Sequence, residues 1–261
     1  MDLLIPAEPG THPLVVYLPG GGFVNANRKV ALAQRNHIAG SGYVVASAQY
    51  RVVKDGAGYL DAIADVRSAI RFLRAHADDY SIAPERVAVW GESAGGYLAA
   101  MVGATNGAAD DDSGGSDGGS GGDDSGQSSH VDAVINMFGG PDLSRIADGF
   151  DDRTRRAHAN PSSPTNRFLG TAGEKADPST LASADSPPFL HFHGTEDRIV
   201  SPVQTALLHA ALLRAGASSV RYLVEGAGHG PISLHAKEAQ RWNSASVVGR
   251  MTDFLAARLT G

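Results

Sequence analysis

Apolar residues along the chain gather into short unbroken runs, and the stretches between them carry a helical rhythm. Leu14-Val15-Val16-Tyr17-Leu18 is the first run, bounded by Pro13 and Pro19, and it has the pattern of a strand buried on both faces. Tyr43–Tyr50, Val87–Trp90, Val131–Phe138, Phe189–His193 and Val220–Val224 read as further strands. Between them the spacing predicts helices over Arg28–Ile38, closed by Gly40-Ser41-Gly42, over Tyr59–Ala77 and over Pro202–Ala215. In the second of these, Ile63, Val66, Ile70 and Leu73 form the apolar stripe, extended by Leu60 and Ala69. Asp61 and Asp65 sit early in it and Arg67, Arg71 and Arg74 late, as the helix dipole favours. Ala83-Pro84-Glu85 reads as the turn into the next strand, and Ser233–Leu259 as largely helical with a break near Asn243. Gly139–Pro187 shows little periodicity and reads as long loops of the kind that shape a binding site. Strands alternating with helices predict an α/β fold: a doubly wound, mostly parallel sheet with helices on both faces.

One segment breaks this rhythm. Asn106–Ser129 is almost entirely Gly, Ser and Asp, with no aromatic or branched aliphatic residue, and predicts a flexible acidic insertion in a single domain spanning 1–261. Gly118-Gly119-Ser120-Gly121-Gly122-Asp123 matches the start of a calcium-binding nonapeptide. A lone repeat with Ser125 at its apolar position has nothing to stack on, so no metal is expected. The segment also explains the charge. The chain carries 22 basic and 28 acidic residues, and six of the acids (Asp110, Asp111, Asp112, Asp117, Asp123 and Asp124) lie here, so the remainder has no net charge. No basic stripe exists for nucleic acid. No apolar run approaches a membrane span, and Met1–Pro6 lacks the features of a signal peptide, so the expected location is cytoplasmic. With no cysteine, disulfides and thiolate metal sites are excluded.

The chemistry is announced after Val87–Trp90. Gly91-Glu92-Ser93-Ala94-Gly95 is a G-x-S-x-G pattern between a buried strand and an alanine-rich helix, the context in which a serine is held on a strained turn with its hydroxyl exposed. Such a serine needs a base and a group to orient that base, both on loops at strand ends. Of ten histidines, His229 in Gly226-Ala227-Gly228-His229-Gly230 is best placed, on a loop whose glycines predict mobility. His191 and His193 lie in a strand and read as structural. Asp197, after His193-Gly194-Thr195-Glu196, is the orienting carboxylate, with Asp142 as its rival. An oxyanion formed on attack needs backbone donors; Ala94 N–H is one, and the Gly20–Gly22 loop after the first buried strand supplies the others.

The segments Pro19-Gly20-Gly21-Gly22-Phe23, Gln49-Tyr50-Arg51, Gly91–Gly96, His193–Asp197 and Gly226–Gly230 together resemble the α/β-hydrolase esterases, specifically the hormone-sensitive-lipase-like and small bacterial feruloyl or acetyl esterase group. The resemblance covers nearly the whole chain apart from Asn106–Ser129. It implies Gly21 and Gly22 as oxyanion donors beside Ala94. Three features depart from that group: Pro19 replaces the usual histidine before the glycines, only Asp2–Ile5 remains of the first strand pair, and no N-terminal cap is present.

The expectation is a carboxylesterase-type serine hydrolase that forms an acyl-enzyme, with Ser93, His229 and Asp197 as triad and no cofactor. Phe23, Val24, Tyr50, Ile199 and Val200 are expected to wall the pocket for a small-molecule ester with a short acyl chain. An amidase or exopeptidase with the same triad, and a ligand-binding pseudoenzyme on the same fold, are the alternatives. The oligomeric state is not encoded in any pattern found here.

Overall fold

The structure is a computed structural model that describes residues 1–106, 126–230 and 236–260. Most of the acidic insertion, including the Gly118–Asp123 motif, therefore lies outside the described residues. Seven strands form one sheet: β1 (Asp2–Leu4), β2 (His12–Leu18), β3 (Val44–Ser47), β4 (Ile82–Glu92), β5 (Ala133–Met137), β6 (Phe189–Gly194) and β7 (Ser219–Val224). Their order is β1-β3-β2-β4-β5-β6-β7; β1 runs antiparallel to β3, and every other pair is parallel. Side chains alternate across each strand, so the sheet builds one core per face. Leu14, Val16, Leu18, Val87 and Val89 meet α2 (Tyr59–Ala75), α3 (Ala94–Ala104) and α7 (Val203–Arg214) on one side. Val15, Tyr17, Ala88, Trp90 and Ile135 meet α1 (Leu32–Gly40), α8 (Ala236–Trp242) and α9 (Ala245–Leu259) on the other. This is the doubly wound α/β-hydrolase fold expected from the sequence.

The strand order reverses at β2: the chain first winds toward β3, then returns to place β4 on the opposite side. In such sheets ligands bind outside the carboxyl ends of the strands at the reversal. Register does the rest. Leu18 pairs with Gly91, so the residues that follow, the Gly20–Gly22 loop and Ser93, leave the sheet side by side.

Several boundaries differ from the sequence reading, each for a local reason. Arg28 does not begin a helix. Its guanidinium donates to Asp2 Oδ1 at 2.7 Å and its carbonyl accepts from Ser47 Oγ, while Ala31 is left-handed (φ 53°), so α1 starts at Leu32. Leu60 lies off the buried stripe of α2 and is 64% exposed, with Tyr59 packing on the core instead. The Ala83–Glu85 turn is a bulge inside β4: Pro13 pairs with Ala83 and the next residue, Leu14, with Val87, leaving Pro84, Glu85 and Arg86 outside the ladder and exposed.

Gly139–Pro187 is the largest correction. It is not built of loops; it contains α4 (Asp152–His158), α5 (Pro164–Leu169) and α6 (Pro178–Leu181). The last two begin on a side-chain cap followed by proline, Ser163-Pro164 and Asp177-Pro178, and in each the cap oxygen accepts a backbone N–H of the first turn. The segment is tied down over α3, where Tyr97 donates to Ala176 O at 2.9 Å.

Candidate active site

Ser93 sits at φ 53°, ψ −116°, between the end of β4 and the first residue of α3. The turn is this tight because its neighbours carry no side chain. A Cβ on Gly91 would lie 2.0 Å from Gly95 O, and one on Gly95 would lie 2.1 Å from Leu18 O. Ser93 N–H donates to Met137 O at 2.9 Å, which fixes the turn to the end of β5.

Two loops bring partners to the hydroxyl. His229 Nε2 lies 2.7 Å from Ser93 Oγ, and His229 Nδ1 lies 2.7 Å from Asp197 Oδ2. Asp197 Oδ1 accepts the backbone N–H groups of Ile199 and Val200 at 2.8 and 3.0 Å, which turns Oδ2 toward the imidazole. Burial pushes the Asp197 carboxyl up, but hydrogen bonds from His193 and His229 outweigh it and hold the group well below the usual carboxylate range. The structure thus brings Ser93, Asp197 and His229 together. Asp142 is elsewhere: its Oδ1 accepts Arg145 N–H, and its own N–H donates to Gln204.

The His229 loop is packed against its neighbours in this structure. Ala227 is fully buried, its carbonyl accepts Glu196 N–H at 2.9 Å, and the Phe138 ring lies edge-on to the imidazole at 5.0 Å. Gly194 permits this contact, because a Cβ there would meet Ala227 O at 2.2 Å. At Gly230, within the loop, a Cβ would likewise be crowded, 2.6 Å from the Phe138 ring.

On the other side of Ser93 stands the glycine loop. A Cβ on Gly20 would lie 3.2 Å from Ser93 Cβ, so the loop abuts the nucleophile. Among the described residues, the N–H groups of Gly21, Gly22 and Ala94 have no hydrogen-bond acceptor. Gly21 and Gly22 have φ of 153° and 60°, and a Cβ on Gly21 would strike Asn25 O at 2.0 Å. The loop that abuts the nucleophile and the first residue of α3 thus carry amides with no acceptor among the described residues.

Of the expected pocket walls, Val24 and Ile199 are exposed, at 45% and 49%. Phe23 is buried and stacks on Phe168 of α5, with ring centroids 4.2 Å apart. Val200 belongs to the core. Tyr50 is not a wall: it is buried, and its hydroxyl donates to Pro19 O at 2.6 Å. That bond braces the glycine loop where the usual histidine is missing. A cavity of about 730 Å³ lined by Asp142, Leu143, Arg145, Asn166, Leu169 and Asp177 shares no residue with the site around Ser93. Among the described residues no group of three or more His, Asp or Glu side chains is arranged to hold a metal, and no helix is long and apolar enough to cross a membrane.

Two residues were missed from sequence. His193 also reaches Asp197 Oδ2, at 3.2 Å; its spacing of four residues from Asp197 was the available signal. Glu92, next to Ser93, is buried with Oε1 unpartnered. Burial pushes its carboxyl up to about 7, only partly opposed by Tyr17 and Arg35. The unfolded chain releases this proton near 4.5, so between there and 7 the folded state binds more protons and stability falls as pH rises. A shift of this size corresponds to about 3 kcal/mol. Glu92→Gln should abolish that part of the decline when urea unfolding is compared at pH 5 and pH 8. Equal declines in the parent and the variant would refute it.

Similar proteins share this arrangement's scaffold. Esterase LipC of Mycobacterium tuberculosis is 32% identical over 241 residues, covering 87% of this chain and 54% of that protein. This chain spans about half the length of the curated relatives it matches. Among solved structures, a truncated carbohydrate esterase from gut microbiota superposes with a TM-score of 0.81 at 26% identity, over 99% of this chain and 90% of that one. The butyrate-bound Est2 esterase of Thermogutta terrifontis gives 0.76 at 27% identity, over 98% of this chain and 87% of its own. The BD-FAE family model matches residues 1–212, which hold the glycine loop, Ser93 and Asp197, and the chain belongs to the BD-FAE family.

Proposed function

We propose that this chain is a serine carboxylic-ester hydrolase that acts on small, short-chain acyl esters through an acyl-enzyme. The observation that carries the reading is the unbroken line Ser93 Oγ–His229 Nε2 and His229 Nδ1–Asp197 Oδ2, both 2.7 Å, with the Gly20–Gly22 loop set against Ser93. Ser93 attacks the ester carbonyl as His229 takes its proton, and Gly21, Gly22 and Ala94 receive the developing oxyanion. His229 then returns the proton to the departing alcohol. Water, activated by the same imidazole, releases the acid and restores Ser93. No step calls for a cofactor.

The short acyl preference rests on Phe23. This residue follows the glycine loop and stacks on Phe168 of α5, which sets two aromatic rings next to that loop. Butyrate and propionate bound to the related Est2 accord with it. A binding-only protein on this fold has no need of an intact triad. The test is a series of p-nitrophenyl esters run beside the matching anilide. Acetyl to butyryl esters turn over fastest, the decanoyl ester and the anilide slowest. A maximum at decanoyl refutes the acyl preference, faster anilide turnover makes the chain an amidase, and no turnover of any member sinks the reading.

A further inference from the structure

Asp197 is claimed by two imidazoles, and only one of them faces Ser93. His193, fully buried at the end of β6, points its Nε2 at two acceptors: Asp197 Oδ2 at 3.2 Å and Val200 O at 3.0 Å. A nitrogen between two acceptors must carry the hydrogen. Its Nδ1 lies 3.0 Å from Thr205 Oγ1 of α7. That hydroxyl accepts Arg221 Nε–H from β7 at 3.0 Å, and of the two acceptors within reach of its own hydrogen, Nδ1 at 3.0 Å and Pro202 O at 3.4 Å, Nδ1 is the nearer. Arg221 is held in turn by Pro202 O, at 2.7 Å. The donors thus run in one direction, Arg221 to Thr205 to His193 to Asp197, and they meet the opposing line from Ser93 through His229 on the same carboxylate oxygen.

The geometry points to His193 as a positioning residue for the hydrolysis: as the neutral Nε2–H tautomer, locked by Thr205 and Arg221, it holds Asp197 Oδ2 against His229. The inference rests on the esterase reading but is separable from it. The backbone amides of Ile199 and Val200 fix only Oδ1, and a carboxylate pinned at one oxygen can still swing the other. His193 closes that freedom with a second contact to Oδ2, at 3.2 Å. It also takes up part of the carboxylate's charge, which moderates the pull of Asp197 on the imidazolium formed when Ser93 is deprotonated.

His193→Leu removes the donor, and His193→Gln returns an amide N–H close to the place of Nε2. In the leucine variant kcat falls about tenfold to a hundredfold, the cost of roughly an ångström of misplacement, while KM changes little. The acid limb of its kcat/KM profile moves up by about half to one pH unit, because Asp197 now attracts the imidazolium more strongly. The glutamine variant restores both. Long-range 1H–15N spectra of the intact protein read the tautomer directly, without any variant having to fold, and show Nε2–H with a bare Nδ1 at residue 193. An Nδ1–H tautomer overturns the inference whether or not the protein hydrolyses esters. So does a leucine variant with the parental rate and limb, or equal losses in both variants with the limb unmoved. Absence of ester turnover in the parent would instead sink the esterase reading, leaving the tautomer to decide the geometry.

Discussion

Ser93→Ala reduces ester turnover on the order of a million-fold and leaves the fold intact. The size follows from the way the triad acts as a unit: with the nucleophile gone, the base and its carboxylate have nothing to activate, and only binding and oxyanion stabilisation remain. The fold survives because, among the described residues, Ser93 Oγ bonds only to His229, while the constraints on the turn lie in Gly91, Gly95 and the bond from Ser93 N–H to Met137 O. Alanine keeps all three. The measurement is p-nitrophenyl acetate turnover together with labelling by a fluorophosphonate, which should modify Ser93 in the parent and no residue in the variant. Labelling at another serine, or activity within a hundredfold of the parent in a variant with unchanged Tm, would remove Ser93 from the mechanism.

Asp197→Asn should cost about ten-thousand-fold in kcat, the scale seen when a triad aspartate is made an amide. Four hydrogens converge on this carboxylate, two from backbone amides on Oδ1 and two from imidazoles on Oδ2. Asparagine offers one acceptor and one NH2 group. Whichever way it is turned, a donor faces donors, and either the backbone loop or both histidines must yield. The same substitution removes a pH-dependent term from stability. The folded-state pKa of Asp197 is depressed below its unfolded value near 3.8, so its contribution is fully present above about pH 4 and is lost as acid titrates the folded form. The variant should therefore lose stability at pH 7 and lose less on further acidification than the parent does. A kcat within tenfold of the parent would show that some other group orients His229.

How much of this was legible beforehand depended on what kind of interaction wrote it. The inner strands, from Leu14–Leu18 to Phe189–His193, announced themselves because a strand buried on both faces must be largely apolar, whereas β7 is an edge strand whose Val220 and Leu223 are exposed. The elbow and its partners were legible because steric necessity forces glycine at 91 and 95 and chemistry forces Ser, Asp and His in a known order. Short helices in 139–187 escaped a search for periodicity, since six residues cannot complete two turns. Their signature was a cap followed by proline, at Ser163-Pro164 and Asp177-Pro178. Tyr50 was misplaced for a different reason. Its role depends on a hydroxyl reaching Pro19 O across 31 positions of sequence, and no local pattern encodes that. His193 looked structural because its strand is apolar, and only the folded turn from Gly194 to Asp197 returns the carboxylate to its ring.

The Asn106 side chain exchanges two hydrogen bonds with the Val131 backbone, donating to its carbonyl and accepting its N–H, each at 2.8 Å. This staple joins the end of α3 to the approach of β5, at the opposite end of the sheet from Ser93. Whatever sequence lies between its two ends, the route of the chain into β5 is already set. The staple therefore anchors the entry into β5 from the far end of the sheet, at a distance from the reactive serine.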